Sequence, residues 1–145
     1  MACYVSVERC QGFDDADRAM PGIYHAIRKY ASDFGVPVPE TEITSSTSIL
    51  DSVLSRWAEL IAPKPLIVLF DEVDVMEGEA MISFLRQLRG GFALRGIGKF
   101  PVSIALVGMR DLKDYITASK GGATPNPGSP FNIKADSAWI SNFKP

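Results

Sequence analysis

The sequence is short of the residues that staple a small protein or bind metal in it. Its two cysteines, Cys3 and Cys10, are too few for a disulfide framework and fit a reducing compartment. One histidine, His25, excludes a His-rich metal site or a paired-histidine relay, and its expected place is a partly exposed position on the first helix. No apolar run approaches the length of a bilayer span, and the first residues lack the charged and apolar segments of a signal peptide. The expected location is therefore cytoplasmic, with no membrane partner. Positive charge is also not in excess. A formal net charge of -2 supplies no global field for nucleic acid, although a local basic patch stays compatible with it.

What is present suits one globular domain spanning residues 1–145. An apolar fraction of 46% with 22% charged residues is ordinary for a folded protein and too rich in large apolar side chains for disorder. The organising stretch is residues 65–74, an uncharged run rich in β-branched and aromatic side chains that ends in Asp71, Glu72 and Asp74. Such a run reads as a strand buried on both faces, as in the centre of a parallel sheet. Acids just past its carboxyl end lie where open α/β sheets bind ligands. That is the arrangement of a Walker B strand, with Asp71 holding magnesium through water and Glu72 polarising the attacking water. The plain alternative is a buried strand whose polar tail returns to solvent.

The flanking chain alternates between strand and helix patterns. Residues 3–8 predict a strand; a domain that opens in a core strand is expected to have lost what preceded it. Gly12, Asp14, Asp15 and Asp17 lead into a helix whose apolar face holds Ile23 and Ile27, with Pro21 opening or resetting it and an end near Phe34 and Gly35. Residues 36–48 read as a loop. Ile49, Val53, Trp57, Leu60 and Ile61 predict a helix over 48–62, stopped by Pro63 and Pro65. A further helix over 78–89 carries Met81, Ile82, Leu85 and Leu88 on one face and is expected to stop at Gly90 and Gly91. Residues 102–107 form a second buried-type strand, followed by Arg110 and Asp111. A short helical turn over 112–117, a Gly- and Pro-rich loop over 120–130 and a last strand within 131–143 complete an α/β order with crossover connections.

On residues 63–74, 82–92, 100–115 and 129–137, which agree in order and spacing, the chain resembles the AAA-like P-loop ATPases of bacteria and archaea. The resemblance covers roughly residues 3–143. It implies an α/β fold with a mostly parallel sheet flanked by helices. It makes Asp71 and Glu72 the Walker B pair, Glu72 as general base and Asp71 on magnesium with Asp74 as a weaker second candidate. It also makes residues 102–110 the sensor-1 strand, with Arg110 facing a γ-phosphate or Glu72. A surface ion pair from Arg110 to Asp111 or Asp114 is an equal reading. Arg86, Arg89 and Arg95 read first as solvated cations, with an arginine finger across a subunit boundary as the alternative.

One departure from the family changes the expected chemistry. P-loop enzymes need Gly-x-x-x-x-Gly-Lys-Ser/Thr, because the glycine turn aims N–H groups at the phosphates, the lysine neutralises them and the hydroxyl binds magnesium. No such run occurs in the sequence. The chain thus reads as a truncated core without its first strand, phosphate-binding loop and helical lid. The Mg-ATP of the family is not expected to be required or hydrolysed by this chain alone, which leaves Glu72 vestigial. In the family the missing strand lies beside sensor 1, so a gap is expected next to residues 102–107, closed by the last strand or by a homodimer or partner chain. Two alternatives stand beside this reading: a hydrolase whose phosphate-binding loop comes from another segment or chain, and an unrelated α/β binding module with a weak divalent-cation site.

Overall fold

A computed structural model describes residues 1–40 and 45–109. Strand β1 (Ala2–Ser6) leads through a 3-10 turn at Glu8–Cys10 into helix α1 (Ala16–Phe34), and helix α2 (Ile49–Leu60) precedes strand β2 (Ile67–Asp71). A second 3-10 turn (Val73–Val75), helix α3 (Gly78–Phe92), a third turn (Arg95–Ile97) and strand β3 (Ser103–Leu106) follow. The strands form one parallel sheet in the order β1-β2-β3. Tyr4 stands opposite Leu69, and Leu69 opposite Ala105. The expected helix over 112–117, loop over 120–130 and strand within 131–143 lie outside the described residues, as does Arg110.

The α/β architecture with parallel strands and crossover helices agrees with the sequence pattern. Both crossovers step the same way across the sheet, and right-handed connections that do so lay their helices on one face. Accordingly a single core joins buried apolar residues from each of the three helices to alternate strand residues, Cys3, Val5, Val68 and Phe70, with Ile104 and Leu106 packed against it. Phe70 meets Phe84 of α3 edge to face at 5.3 Å. Trp57, fully buried, donates its indole N–H to the carbonyl of Pro37 at 2.8 Å, fixing the approach to α2.

The opposite face corrects the expectation of a strand buried on both sides. Ile67 and Leu69 are only half-buried, Ala105 is exposed and Tyr4 is 51% exposed. Among the described residues nothing covers this face, because covering it would take a crossover stepping the other way. Among the same residues β3 pairs only with β2, so its outer edge carries no partner strand there.

Three local expectations also shift. β1 ends at Ser6 rather than at residue 8, because the chain turns at Glu8–Cys10. Pro21 neither opens nor resets α1, which runs through it. The helix starts instead at Asp15, whose carboxylate accepts from the Arg18 N–H at 2.8 Å, and ends at Gly35 in the left-handed region. Gly90 and Gly91 do not stop α3 either. A Cβ on Gly91 would lie 1.9 Å from a ring carbon of Phe100, so this glycine is there to let a buried aromatic ring approach the helix.

Candidate functional site

Parallel strands bring their carboxyl ends to one edge, and there β2 delivers Asp71, Glu72 and Asp74. Asp71 is the last residue of the strand and projects onto the uncovered face. Tyr4 lies on that same face, diagonal to it in the register, close enough for an aromatic side chain to reach. The Tyr4 hydroxyl donates to Asp71 Oδ2, and the Glu72 N–H donates to Asp71 Oδ1 at 2.9 Å. Both carboxylate oxygens are therefore engaged within the chain. The hydrogen bond to Asp71 pushes the phenol of Tyr4 up from its usual range, helped by desolvation and by the negative charge of Asp71, Glu72 and Glu8.

Glu72 is exposed and sits in the left-handed region at φ 59°, ψ 35°. A residue with a Cβ rarely takes this conformation, which turns the chain sharply away from the sheet. The turn carries Val73–Val75, and Asp74 faces back toward the end of β3. Asp74 Oδ2 accepts from the Met109 N–H at 3.1 Å. A Cβ on Gly108 would lie 2.7 Å from Asp74 Oδ1, so the glycine allows the carboxylate to nest against the backbone. Two backbone hydrogen bonds complete the clip: Val73 N–H to the carbonyl of Val107 at 3.1 Å, and Val107 N–H to that of Phe70 at 2.8 Å.

The structure thus gathers Asp71, Glu72 and Asp74 with residues 107–109 and gives the acids different surroundings. Asp71 is tied to Tyr4, Asp74 to the loop after β3, and Glu72 points to solvent. Arg110, the sensor candidate, lies outside the described residues. A magnesium ion taken up through Asp71 Oδ2 would compete with the Tyr4 phenol, and the sequence supplies no glycine-lysine loop to hold its phosphates. Among the described residues no group of three or more His, Cys, Asp or Glu side chains is arranged to hold a metal ion.

The other chemistry-bearing residues stand apart. His25 is exposed on α1, its ring centre 5.9 Å from that of Tyr24. Cys3 and Cys10 are free and buried, and burial pushes both thiols up, that of Cys10 to about 11, which suits inert core residues. Arg86 and Arg89 are exposed on α3, whereas Arg95 lies near the amino ends of β2 and β3, away from Asp71. Tyr4 is the site residue that the sequence pattern alone passes over. Its signal was available, since alternation places it and Asp71 on one face once β1 and β2 are paired in register.

Among the described residues no helix is long and apolar enough to cross a membrane. Comparison with protein-family models, with curated proteins and with solved structures found no match to the chain.

Proposed function

We propose that this chain is the Walker B and sensor-1 half of an AAA-like P-loop domain, which does not hydrolyse ATP alone and works by associating with a second copy or a partner chain. The observation that carries the reading is the sheet itself. Three parallel strands in the order β1-β2-β3 put the acid pair Asp71 and Glu72 at the carboxyl end of β2 and clip it to the loop after β3. The engagement of Asp71 by Tyr4 supports the loss of hydrolysis, and the uncovered sheet face supports association.

Two measurements on the 145-residue chain test it. Mg-ATP should leave the thermal midpoint unchanged, since a nucleotide present at a hundred times its dissociation constant would stabilise the fold by about 2.7 kcal/mol, a shift readily seen. Sedimentation should show concentration-dependent self-association. The Val102 N–H points to β2, so alternation turns the Ala105 N–H toward the outer edge, and Ala105→Pro should weaken association while the helical circular dichroism is retained. A midpoint raised by Mg-ATP and lost in Asp71→Ala would refute the first half of the proposal. A chain that stays monomeric at high concentration, without a partner chain in a pull-down, would refute the second.

A further inference from the structure

At the opposite edge of the sheet, where β2 and β3 begin, the surface holds a half-open cleft of about 270 Å³. Its open apolar surface comes from Pro63, Pro65 and Val102, the last 43% exposed, above the buried Leu66 and Phe100. Its rim carries Lys64 and Arg95, and no acid lines it. The guanidinium of Arg95 is held 3.6 Å from the centre of the Phe92 ring, which limits its freedom before any ligand arrives. Among the described residues neither Lys64 nor Arg95 is ion-paired, whereas Arg28 meets Glu40 at 3.6 Å and Lys29 meets Asp33 at 2.6 Å. Among the described residues of a chain with net charge -2, two cations without an ionic partner thus rim one hollow.

We infer that this cleft binds a small apolar monocarboxylate, with the carboxylate between Lys64 and Arg95 and a branched tail against Pro65 and Val102. Size favours a small occupant, because drug-sized ligands fill pockets of about 300–1,000 Å³. Chemistry favours a carboxylate over an uncharged ligand, since Arg offers a planar fork and Lys a point charge to one anionic group. The tail separates this ligand from inorganic phosphate, which would leave Pro63, Pro65 and Val102 wet. The same chemistry is offered by a free branched-chain acid and by a peptide ending in an apolar residue.

Titration of the ¹⁵N-labelled chain, followed through its amide NMR spectrum, tests the assignment with isocaproate, its amide, inorganic phosphate and a short peptide ending in leucine. Isocaproate should shift the amides around Lys64, Leu66 and Arg95 saturably, and the amide analogue should bind about tenfold more weakly. Lys64→Gln and Arg95→Gln should each weaken isocaproate severalfold with the spectrum otherwise preserved. Tighter binding of the peptide than of isocaproate assigns the site to a polypeptide terminus, and the reverse assigns it to a free acid. Equal binding of the amide, equal binding of phosphate at this cleft, or shifts confined to other residues would overturn the inference.

Discussion

Substitution of the two neighbouring glycines of α3 by alanine should have opposite effects. Helix propensity alone favours both changes, because alanine is about 1 kcal/mol better than glycine inside a helix. At Gly90 the added Cβ would meet only Asp51 Oδ2, at 3.9 Å, an ordinary contact. Gly90→Ala should therefore stabilise, by somewhat less than the full increment because the position is close to the helix end. At Gly91 the same methyl would stand 1.9, 2.2 and 2.4 Å from three ring carbons of Phe100. The ring must retreat by well over an ångström, and it is 2% exposed with the core behind it. Overpacking of this kind costs about 1–3 kcal/mol, occasionally more. After the propensity gain the net range is about 0–2 kcal/mol, and with three contacts below 3 Å Gly91→Ala should be destabilising by about 2 kcal/mol, a fall of several degrees in a domain of this size. Urea denaturation followed by circular dichroism measures both variants. Phe100→Leu supplies the internal check, because the shorter side chain should remove most of the Gly91→Ala penalty in the double variant. Gly91→Ala at or above wild-type stability, or no coupling to Phe100→Leu, would refute the close packing of Phe100 against α3.

Three further outcomes follow from named contacts. Gln87 of α3 is 5% exposed; its Oε1 accepts from the Leu50 N–H at 2.8 Å and its Nε2 donates to the Ser46 carbonyl at 2.8 Å. Gln87→Leu strands those groups and should cost about 2–3 kcal/mol, seen as a lower urea midpoint, whereas an unchanged midpoint would contradict the cap. Asp51 has Oδ1 buried without a hydrogen-bond partner, and desolvation raises its pKa above the ordinary 3.8 despite a hydrogen bond from Ser55. The folded state then holds the proton more tightly than the unfolded one, so stability from this group is present below 3.8 and is lost as pH rises through the raised folded value. Asp51→Asn should flatten that slope and stabilise the protein at neutral pH, and a less stable variant there would defeat the argument. Glu72→Gly removes a side chain from the left-handed region, where a Cβ costs about 1–2 kcal/mol, and adds glycine's unfolded-state entropy of about 0.5–1 kcal/mol. The net gain should be about 0.5–1 kcal/mol, and a marked loss would mean that the Glu72 side chain makes contacts that its exposure does not suggest.

Much of the fold is legible in the sequence because its signals are local. The spacing of Ile49, Val53 and Trp57 gives α2 to within two residues, and the uncharged run before Asp71 gives β2. The clustering of the three acids is a matter of adjacency in the chain. What escapes is set by partners distant in sequence. Gly91 carries the same local signal as a helix stop and is overruled by Phe100. The burial of β2 on one side only depends on which way both crossovers step, which no single strand records. Tyr4 reaches Asp71 only through the pairing of β1 with β2, and Gln87 looks like an ordinary polar residue until α2 is seen to begin beside it.

That glutamine makes the start of one helix contingent on the arrival of another. Ser48, at the N-cap position of α2, makes no side-chain hydrogen bond to cap the helix, and the carbonyl oxygen that Leu50 finds belongs to a residue 37 positions later. A peptide cut to contain α2 alone would lack its cap and should fray, however good its apolar spacing. In the whole chain α2 and α3 should therefore gain protection from hydrogen exchange together, as one cooperative unit. The strand carrying Asp71 lies in sequence between these two helices, so the Gln87 contact closes a loop of chain that contains the acids.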